Sequence, residues 1–223
     1  MSDKPELVVA IDGPSGAGKS STARGVACRM GMAFLDTGAM YRAISWACQT
    51  DGIDPNDQAA LLVRAETADL QVGVDPQHPT VVLDGHDITR EIRRPEVSAN
   101  VSTVAVIPQV RQLLTAQMRQ TIVSCRRIVV EGRDITTVVW PQAAVRVLLI
   151  ADSEIRIARR AAEVRGRPGH GEVRGSIVDR DRKDATVSQF EIPAPGVELI
   201  DSTLLDLGQV IDQVIALVPE KLR

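Results

Sequence analysis

The sequence has few aromatic residues, few cysteines and no long apolar run, and each scarcity excludes a class of protein. Only 2% of the 223 residues are aromatic, so the core must be packed with Val, Ile, Leu and Ala, which the 44% apolar content allows. Cys28, Cys48 and Cys125 stand too far apart for a metal or redox pair, and we expect buried free thiols within helices. No segment has the pattern of a membrane span or a secretory signal, so the sequence predicts a cytoplasmic protein.

The charge of the chain is slightly negative and unevenly distributed. The formal net charge is −3, which argues against a general nucleic-acid partner. The arginines nevertheless cluster in the second half of the chain. That clustering predicts a local anion-binding site within a mildly acidic protein.

The glycine-rich stretch near the start, ELVVAIDGPSGAGKSSTARGVACRM, is the strongest single signal. Its spacing Gly13-x-x-x-x-Gly18-Lys19-Ser20 fits a phosphate-binding loop, in which backbone N–H groups surround phosphate oxygens, the lysine reaches the β- and γ-phosphates and the hydroxyl holds Mg²⁺. The alternative, a flexible glycine turn, is disfavoured because a strand precedes the loop and helical spacing follows it. The residues predicted to bind the nucleoside triphosphate are Gly13, Pro14, Ser15, Gly16, Ala17, Gly18, Lys19, Ser20 and Ser21.

Apolar runs alternate with helix-like segments along most of the chain. Strands are predicted at residues 7–11, 33–35, 128–130, 145–150 and 197–200, and the last helix carries an apolar stripe from Leu207 to Val218. This alternation is typical of an α/β fold with a parallel sheet covered by helices on both faces.

Residues 69–124 depart from this alternation of strands and helices. They are predicted to form an inserted lobe between the two parts of a core, residues 1–68 and 125–223. Polar and apolar residues alternate up to Thr89, Asp84-Gly85 marks a tight turn, and two helices are predicted up to about Ser124. Such a lobe would either hold a second substrate or merely decorate the core.

A basic helix and an irregular stretch follow the fourth predicted strand of the core. Arg156, Arg159 and Arg160 have helical spacing and few nearby acidic residues, and the next residues are rich in Gly, Pro and Arg. A solvated charged face is one interpretation. The other is a mobile lid, at about 161–175, whose arginines cover phosphates.

Charged residues stand where two predicted strands end, which is where a parallel sheet places its ligand site. Asp36 and Thr37 follow one strand, and Glu131, Arg133 and Asp134 follow another. Asp36 and Glu131 could hold Mg²⁺ through its waters, or could equally cap helices.

More cations are available than one triphosphate needs, which predicts a second substrate that carries phosphate. A phosphate acceptor is already an anionic nucleophile, so transfer would need only alignment and charge neutralisation. A hydroxyl acceptor would instead need a base, for which Asp36 is the candidate. The cations expected to converge are Lys19, Arg42, Arg111, Arg133, Arg156, Arg160 and Arg180.

Taken in order, IDGPSGAGKS, FLDTGAMYR, DGHDITREIR, VSTVAVIPQVR, VEGRDITTVV and the late DST resemble bacterial-type cytidylate kinases, across nearly the whole chain. The resemblance implies a P-loop nucleoside monophosphate kinase with a five-stranded parallel sheet, an inserted acceptor-binding lobe and a short lid. It also implies a monomer that uses Mg²⁺ and ATP to convert CMP or dCMP into CDP or dCDP.

The same resemblance assigns roles to residues of this sequence. Lys19, Arg133, Arg156 and Arg160 are expected to act on the transferring phosphoryl group, with Arg159 beside them at ATP. Metal binding is expected from the loop pattern at Ser20, with Asp36 acting through water. The expected CMP-binding residues are Thr37, Arg111 and Asp134 for the base, Arg42 and Arg133 for the phosphate, Ser102, Arg180 and Asp184 for ribose or phosphate, and Tyr41 beside them.

The chain also departs from the family pattern and leaves two other functions to consider. Thr136 stands where the family commonly has glycine, Trp140 replaces a phenylalanine, and Val187 stands near the place of a base-reading arginine. A small-molecule kinase for shikimate or a sugar acid would need neither the arginine excess nor the insertion. A GTP-dependent switch would need N-K-x-D and D-x-x-G stretches, and neither occurs.

Overall fold

The computed structural model describes residues 4–164 and 192–223, which form two sheets. Five parallel strands make the larger sheet in the order β2-β6-β1-β7-β8, and three antiparallel strands make the smaller one in the order β3-β4-β5. The predicted five-stranded parallel sheet is therefore confirmed. The strands are β1 Leu7–Asp12, β2 Ala33–Asp36, β3 Leu70–Val72, β4 Val81–Leu83, β5 His86–Asp87, β6 Arg127–Gly132, β7 Val145–Ile150 and β8 Glu198–Asp201.

Helices connect the strands and begin at recognisable signals. Asp36 caps α2 by accepting a hydrogen bond from the backbone N–H of Ala39, and Asp57 caps α3 in the same way at Ala60. Proline occupies the first turn of α4 and of α5, where its missing N–H costs nothing. The helices are α1 Lys19–Met30, α2 Thr37–Thr50, α3 Gln58–Thr67, α4 Pro95–Ala105, α5 Pro108–Ser124, α6 Ser153–Val164 and α7 Leu207–Ala216, with 3₁₀ turns at Glu91–Arg93 and Glu220–Leu222 and a π-helical turn at Ile135–Val139.

Both faces of the larger sheet are buried, as the sequence predicted. Alternate residues of β1 belong to two hydrophobic clusters: Val8 and Ala10 pack towards α2 and α5, and Val9 and Ile11 pack towards α1 and α7. Among the buried apolar side chains of the described part of the chain, Phe34 is the one aromatic residue.

The segment between α3 and β6 contains the smaller sheet, a 3₁₀ turn and helices α4 and α5. Asp84 and Gly85 have φ values of 50° and 78°, which confirms the predicted tight turn between β4 and β5. Leu83, Val104 and Leu114 share one hydrophobic cluster with residues of β1 and β6. The segment therefore packs directly on the larger sheet, and its role as a substrate-binding lobe stays a prediction.

The expected burial of the cysteines was wrong for two of the three. Cys28 is exposed because α1 turns it outwards beside Ser21 and Arg24, and Cys125 is half-buried just after α5, so only Cys48 is a buried thiol within a helix. The apolar stripe of the last helix is confirmed: Val210, Val214 and Val218 lie in one buried cluster, although α7 itself ends at Ala216. No helix in the described ranges is long and apolar enough to cross a membrane.

Candidate active site

The glycine-rich loop joins β1 to α1 at the carboxyl edge of the larger sheet. Gly13, Gly16 and Gly18 have φ values of 149°, 76° and 93°, a backbone conformation that glycine adopts without strain. A Cβ atom on Gly13 would lie 2.0 Å from the backbone oxygen of Leu149 in β7. The sequence therefore needs glycine here for two reasons, the backbone angle and the close approach of the neighbouring strand.

Polar side chains at the start of α1 point back to the loop and the strand ends. The Nζ group of Lys19 donates a hydrogen bond to the carbonyl oxygen of Pro14 at 2.9 Å. The hydroxyl of Ser20 donates to Oε1 of Glu131 at 2.6 Å. Ser21 is exposed on the outer face of the helix, whereas Pro14 and Ala17 are buried in the loop.

Two of the predicted arginines contact backbone carbonyls of this loop from opposite sides. The Nη1 group of Arg133, in the segment after β6, donates to the carbonyl oxygen of Gly13. The Nη1 group of Arg156, in α6 after β7, donates to the carbonyl oxygen of Ser15 at 2.9 Å. The fold thus brings a cation from each strand that flanks β1 to the phosphate loop.

Arg159 lies one turn further along α6 and contacts the segment after β8. Its guanidinium donates to the hydroxyl of Ser202 at 2.9 Å and to the carbonyl oxygen of Ser202 at 2.7 Å. The hydroxyl of Ser202, which belongs to the late DST stretch, lies 3.2 Å from the carbonyl oxygen of Ala17. Arg159 is therefore anchored beside the end of the loop.

Asp36, at the end of β2, binds two guanidinium groups at one oxygen. Arg42 and Arg93 each donate to Oδ2 at 2.8 Å, while Oδ1 caps α2 at Ala39. Burial alone raises the pKa of Asp36, but the charges of Arg42 and Arg93 outweigh burial and hold this pKa well below its ordinary value. The carboxylate is therefore ionised near neutral pH and orders two arginines.

Glu131, at the end of β6, stands opposite Asp36 in the strand register. Burial and the neighbouring charge of Asp36 raise the pKa of Glu131, and Lys19 and the hydroxyl of Ser20 oppose that shift. The hydroxyl of Thr37 donates to the backbone oxygen of Glu131 at 2.8 Å. The strand ends thus place buried carboxylate and hydroxyl oxygens beside the phosphate loop.

Arg111 of α5 pairs with Asp134, the residue after Arg133. Burial raises the pKa of Asp134, and the charge of Arg111 opposes it. Burial likewise raises the pKa of the nearby Tyr41 hydroxyl to about 12, so this phenol is a neutral hydrogen-bond donor or acceptor. Ser102 is buried on α4, and Arg111 also donates to the carbonyl oxygen of Ala105 at 3.3 Å.

Several residues that the sequence predicts at the site lie wholly or partly outside the described structure. Arg160 belongs to α6, but its side chain is outside the description. Arg180, Asp184 and Val187 lie outside the described residues, as does most of the predicted lid.

Two residues at this site were missed by the sequence interpretation. Arg93 shares the carboxylate of Asp36 with Arg42. In the sequence, the stretch DGHDITREIR that contains Arg93 supported the family resemblance but assigned this arginine no role. Asp12 is 2% exposed and accepts hydrogen bonds from the segment after Asp134. Its one sequence signal was its position directly before Gly13, at the end of a buried strand.

The parallel sheet, the phosphate loop after its central strand and the arginines around that loop define a P-loop kinase. The same fold occurs in a gluconokinase from Sinorhizobium meliloti 1021, with a TM-score of 0.53 and 14% identity over 96% of this chain and 92% of that one. The family model "Cytidylate kinase" matches residues 9–220. A cytidylate kinase of Cutibacterium acnes is 56% identical over 100% of both chains, and one of Streptomyces coelicolor is 43% identical over 97% of this chain and 94% of its own. The chain belongs to the cytidylate kinase family, which makes it a nucleoside monophosphate kinase.

Proposed function

We propose that this chain transfers the γ-phosphoryl group of ATP to CMP or dCMP, giving ADP and CDP or dCDP. The contact that best supports the proposal is the one between Arg133 and the carbonyl oxygen of Gly13. It joins a predicted acceptor residue directly to the loop that holds the donor. In-line transfer needs this proximity, because the two phosphates must meet end to end.

The donor side consists of the loop from Gly13 to Ser21 and the arginines of α6. Backbone N–H groups and the positive end of α1 hold the phosphates of ATP, and Lys19 reaches the β- and γ-phosphates. Arg156 and Arg160 neutralise charge on the transferring group, and Arg159 lies beside the loop. The contact of Arg156 with Ser15 supports this assignment.

The acceptor side consists of residues from β2, β6, α4 and α5. Arg42 and Arg133 bind the phosphate of CMP, since a guanidinium meets two phosphate oxygens at once. Thr37, Tyr41, Arg111 and Asp134 face the cytosine, and Ser102, Arg180 and Asp184 face the ribose or the phosphate. The ion pair between Arg111 and Asp134 supports the base site, because a fixed donor and acceptor stand side by side there.

No general base takes part in the proposed reaction. The acceptor phosphate is an anion near pH 7, and Asp36, the one base candidate from the sequence, is already bound to Arg42 and Arg93. A carboxylate whose pKa is held below its ordinary value is a weak proton acceptor. Asp36 instead orients Arg42, one of the two arginines proposed to bind the acceptor phosphate, together with Arg93.

The oxygen ligands at the strand ends fit a magnesium ion bound together with ATP. Ser20 would hold the ion directly, and Asp36 and Glu131 would hold it through water, because Mg²⁺ prefers oxygen ligands and retains several waters. The hydrogen bond between Ser20 and Glu131 supports this arrangement. When bound, the ion would neutralise charge on the β- and γ-phosphates. We also propose a cytoplasmic monomer without a nucleic-acid or membrane partner.

The proposal is tested by the specificity constant, kcat/KM, for CMP, dCMP, UMP and AMP with ATP and magnesium. CMP and dCMP should exceed AMP by at least about a hundredfold, because a purine does not match the donor and acceptor that Arg111 and Asp134 present to a cytosine. UMP should fall between them. Shikimate and gluconate serve as controls for a small-molecule kinase. If either is phosphorylated faster than every monophosphate, the proposal is wrong.

A further inference from the structure

The segment after β6 carries Arg133 and Asp134, and a buried carboxylate holds it in place. Asp12, the last residue of β1, accepts hydrogen bonds from the backbone N–H of Ile135 at 2.9 Å and of Thr136 at 2.8 Å. The hydroxyl of Thr136 donates to the same carboxylate at 2.6 Å. Asp12 is 2% exposed and Thr136 is 4% exposed, so little water competes for these bonds.

Asp12 also belongs to the donor side of the site. It directly precedes Gly13, and it pairs with Gly132 of β6 and Leu148 of β7 in the strand register. A strand held on both sides is a rigid support. The segment after Gly132 has left the sheet, so side chains rather than neighbouring strands hold it. Besides Asp12, Arg119 of α5 donates hydrogen bonds to the carbonyl oxygens of Val139 at 3.0 Å and of Val138 at 2.7 Å, within the turn at Ile135–Val139.

We infer that Asp12 and Thr136 are positioning residues, whose three hydrogen bonds fix Arg133 and Asp134 relative to the phosphate loop and so align acceptor with donor. This inference rests on the proposed function. Loss of the Thr136 hydroxyl should loosen the segment after β6 and leave β1 in place, because neighbouring strands hold β1 and the hydrogen bonds hold the segment. CMP binding should therefore suffer, while ATP binding should not.

The test compares Thr136→Val, which removes the hydroxyl and keeps the branched shape, with Thr136→Ser, which keeps the hydroxyl. KM for CMP should rise about tenfold in the valine variant, because the segment that carries Arg133 and Asp134 loses one of its three hydrogen bonds to Asp12. KM for ATP should change less than about twofold, and the serine variant should restore most of the CMP affinity. Thr121→Val is the control, because the hydroxyl of Thr121 bonds within α5, to the carbonyl oxygen of Gln117 at 3.1 Å.

A purely structural role would lower the melting temperature without separating the two substrates. All kinetics are therefore measured well below the melting temperature of each variant. Unchanged KM for CMP in Thr136→Val, or equal rises in KM for CMP and ATP, would overturn the inference. The proposed function would still stand in that case, provided that the wild-type protein phosphorylates CMP. A wild-type protein that phosphorylates no monophosphate would overturn both. If the valine variant does not fold, Thr136→Ala serves in its place with the same expectation.

Discussion

At the scale of single residues, carboxylates of the candidate site hold guanidinium groups, and in the proposed reaction none of them moves a proton. Arg42 and Arg93 both donate hydrogen bonds to one oxygen of Asp36, and Arg111 forms an ion pair with Asp134. Each arrangement fixes the direction of a guanidinium before a substrate arrives. Preorganised charge of this kind costs no rearrangement during the reaction.

Replacing Asp36 by Asn should destabilise the fold in a way that depends on pH. The variant leaves two arginines without their anion, and we expect a loss of about 3 kcal/mol in the free energy of unfolding near pH 7. The pKa of Asp36 in the folded protein lies below the 3.8 that is usual for an aspartate side chain, so its ionised form stabilises the fold above that value. The stabilisation is lost as the pH falls, and the difference between wild type and variant should shrink below about pH 4.

Urea unfolding of both proteins at a series of pH values measures this difference. Asp57→Asn is the matched control, because Asp57 caps α3 on the surface much as Asp36 caps α2. Asn caps helices well, so the control should lose only a few tenths of a kcal/mol. A difference for Asp36→Asn that stays constant down to about pH 3 would show that the ion pairs contribute nothing.

At the scale of elements, the turn from β1 into α1 depends on a contact between neighbouring strands. Gly13→Ala would place a methyl group 2.0 Å from the Leu149 backbone oxygen, so either the loop or β7 must shift. We expect ATP to lose its stabilising effect on this variant, because the loop no longer surrounds the phosphates. Thermal unfolding with and without ATP measures the effect.

Gly31→Ala separates backbone strain from this steric conflict. Gly31 has a φ of 58°, and no described atom lies within 4 Å of the place that a methyl group would take. The Gly31→Ala variant should therefore lose about 1–2 kcal/mol of its free energy of unfolding through backbone strain alone. It should unfold at a lower temperature and still be stabilised by ATP as wild type is. An equal ATP effect in both variants would contradict the role given to the loop.

The elements were predictable from the sequence to the extent that local patterns determine them. Buried strands, the Asp84-Gly85 turn and the phosphate loop each have a signal within about ten residues, and all three appear in the structure. The partners of Asp12 were not predictable, because Thr136 lies 124 positions along the chain and meets Asp12 only through the register of β1 and β6. The outward turn of Cys28 depends on the rotational position of α1, which a short apolar pattern did not determine.

At the scale of the whole molecule, the proposed function requires two nucleotides to bind at once on one sheet edge. In this proposal, donor groups come from the segments after β1 and β7, and acceptor groups come from the segments after β2 and β6 and from α4 and α5. Since β6 and β7 both flank β1, the two sets must meet at the phosphate loop. The contacts of Arg133 and Arg156 with that loop are consistent with this geometry.

A compound that joins adenosine and cytidine through five phosphates should therefore bind far more tightly than either nucleotide alone. One molecule then fills both sites, and the translational and rotational entropy of association is lost only once. Calorimetry should give one compound per chain and an affinity at least about a hundredfold above that of ATP or CMP. Arg133→Ala should remove most of this gain, since it weakens the acceptor side. Arg126→Ala is the control, because Arg126 lies just before β6 with a side chain 84% exposed and pairs at the surface with Glu6. If the joined compound binds no better than ATP alone, or if both arginine variants bind it as wild type does, the two sites do not meet and the proposed alignment is wrong.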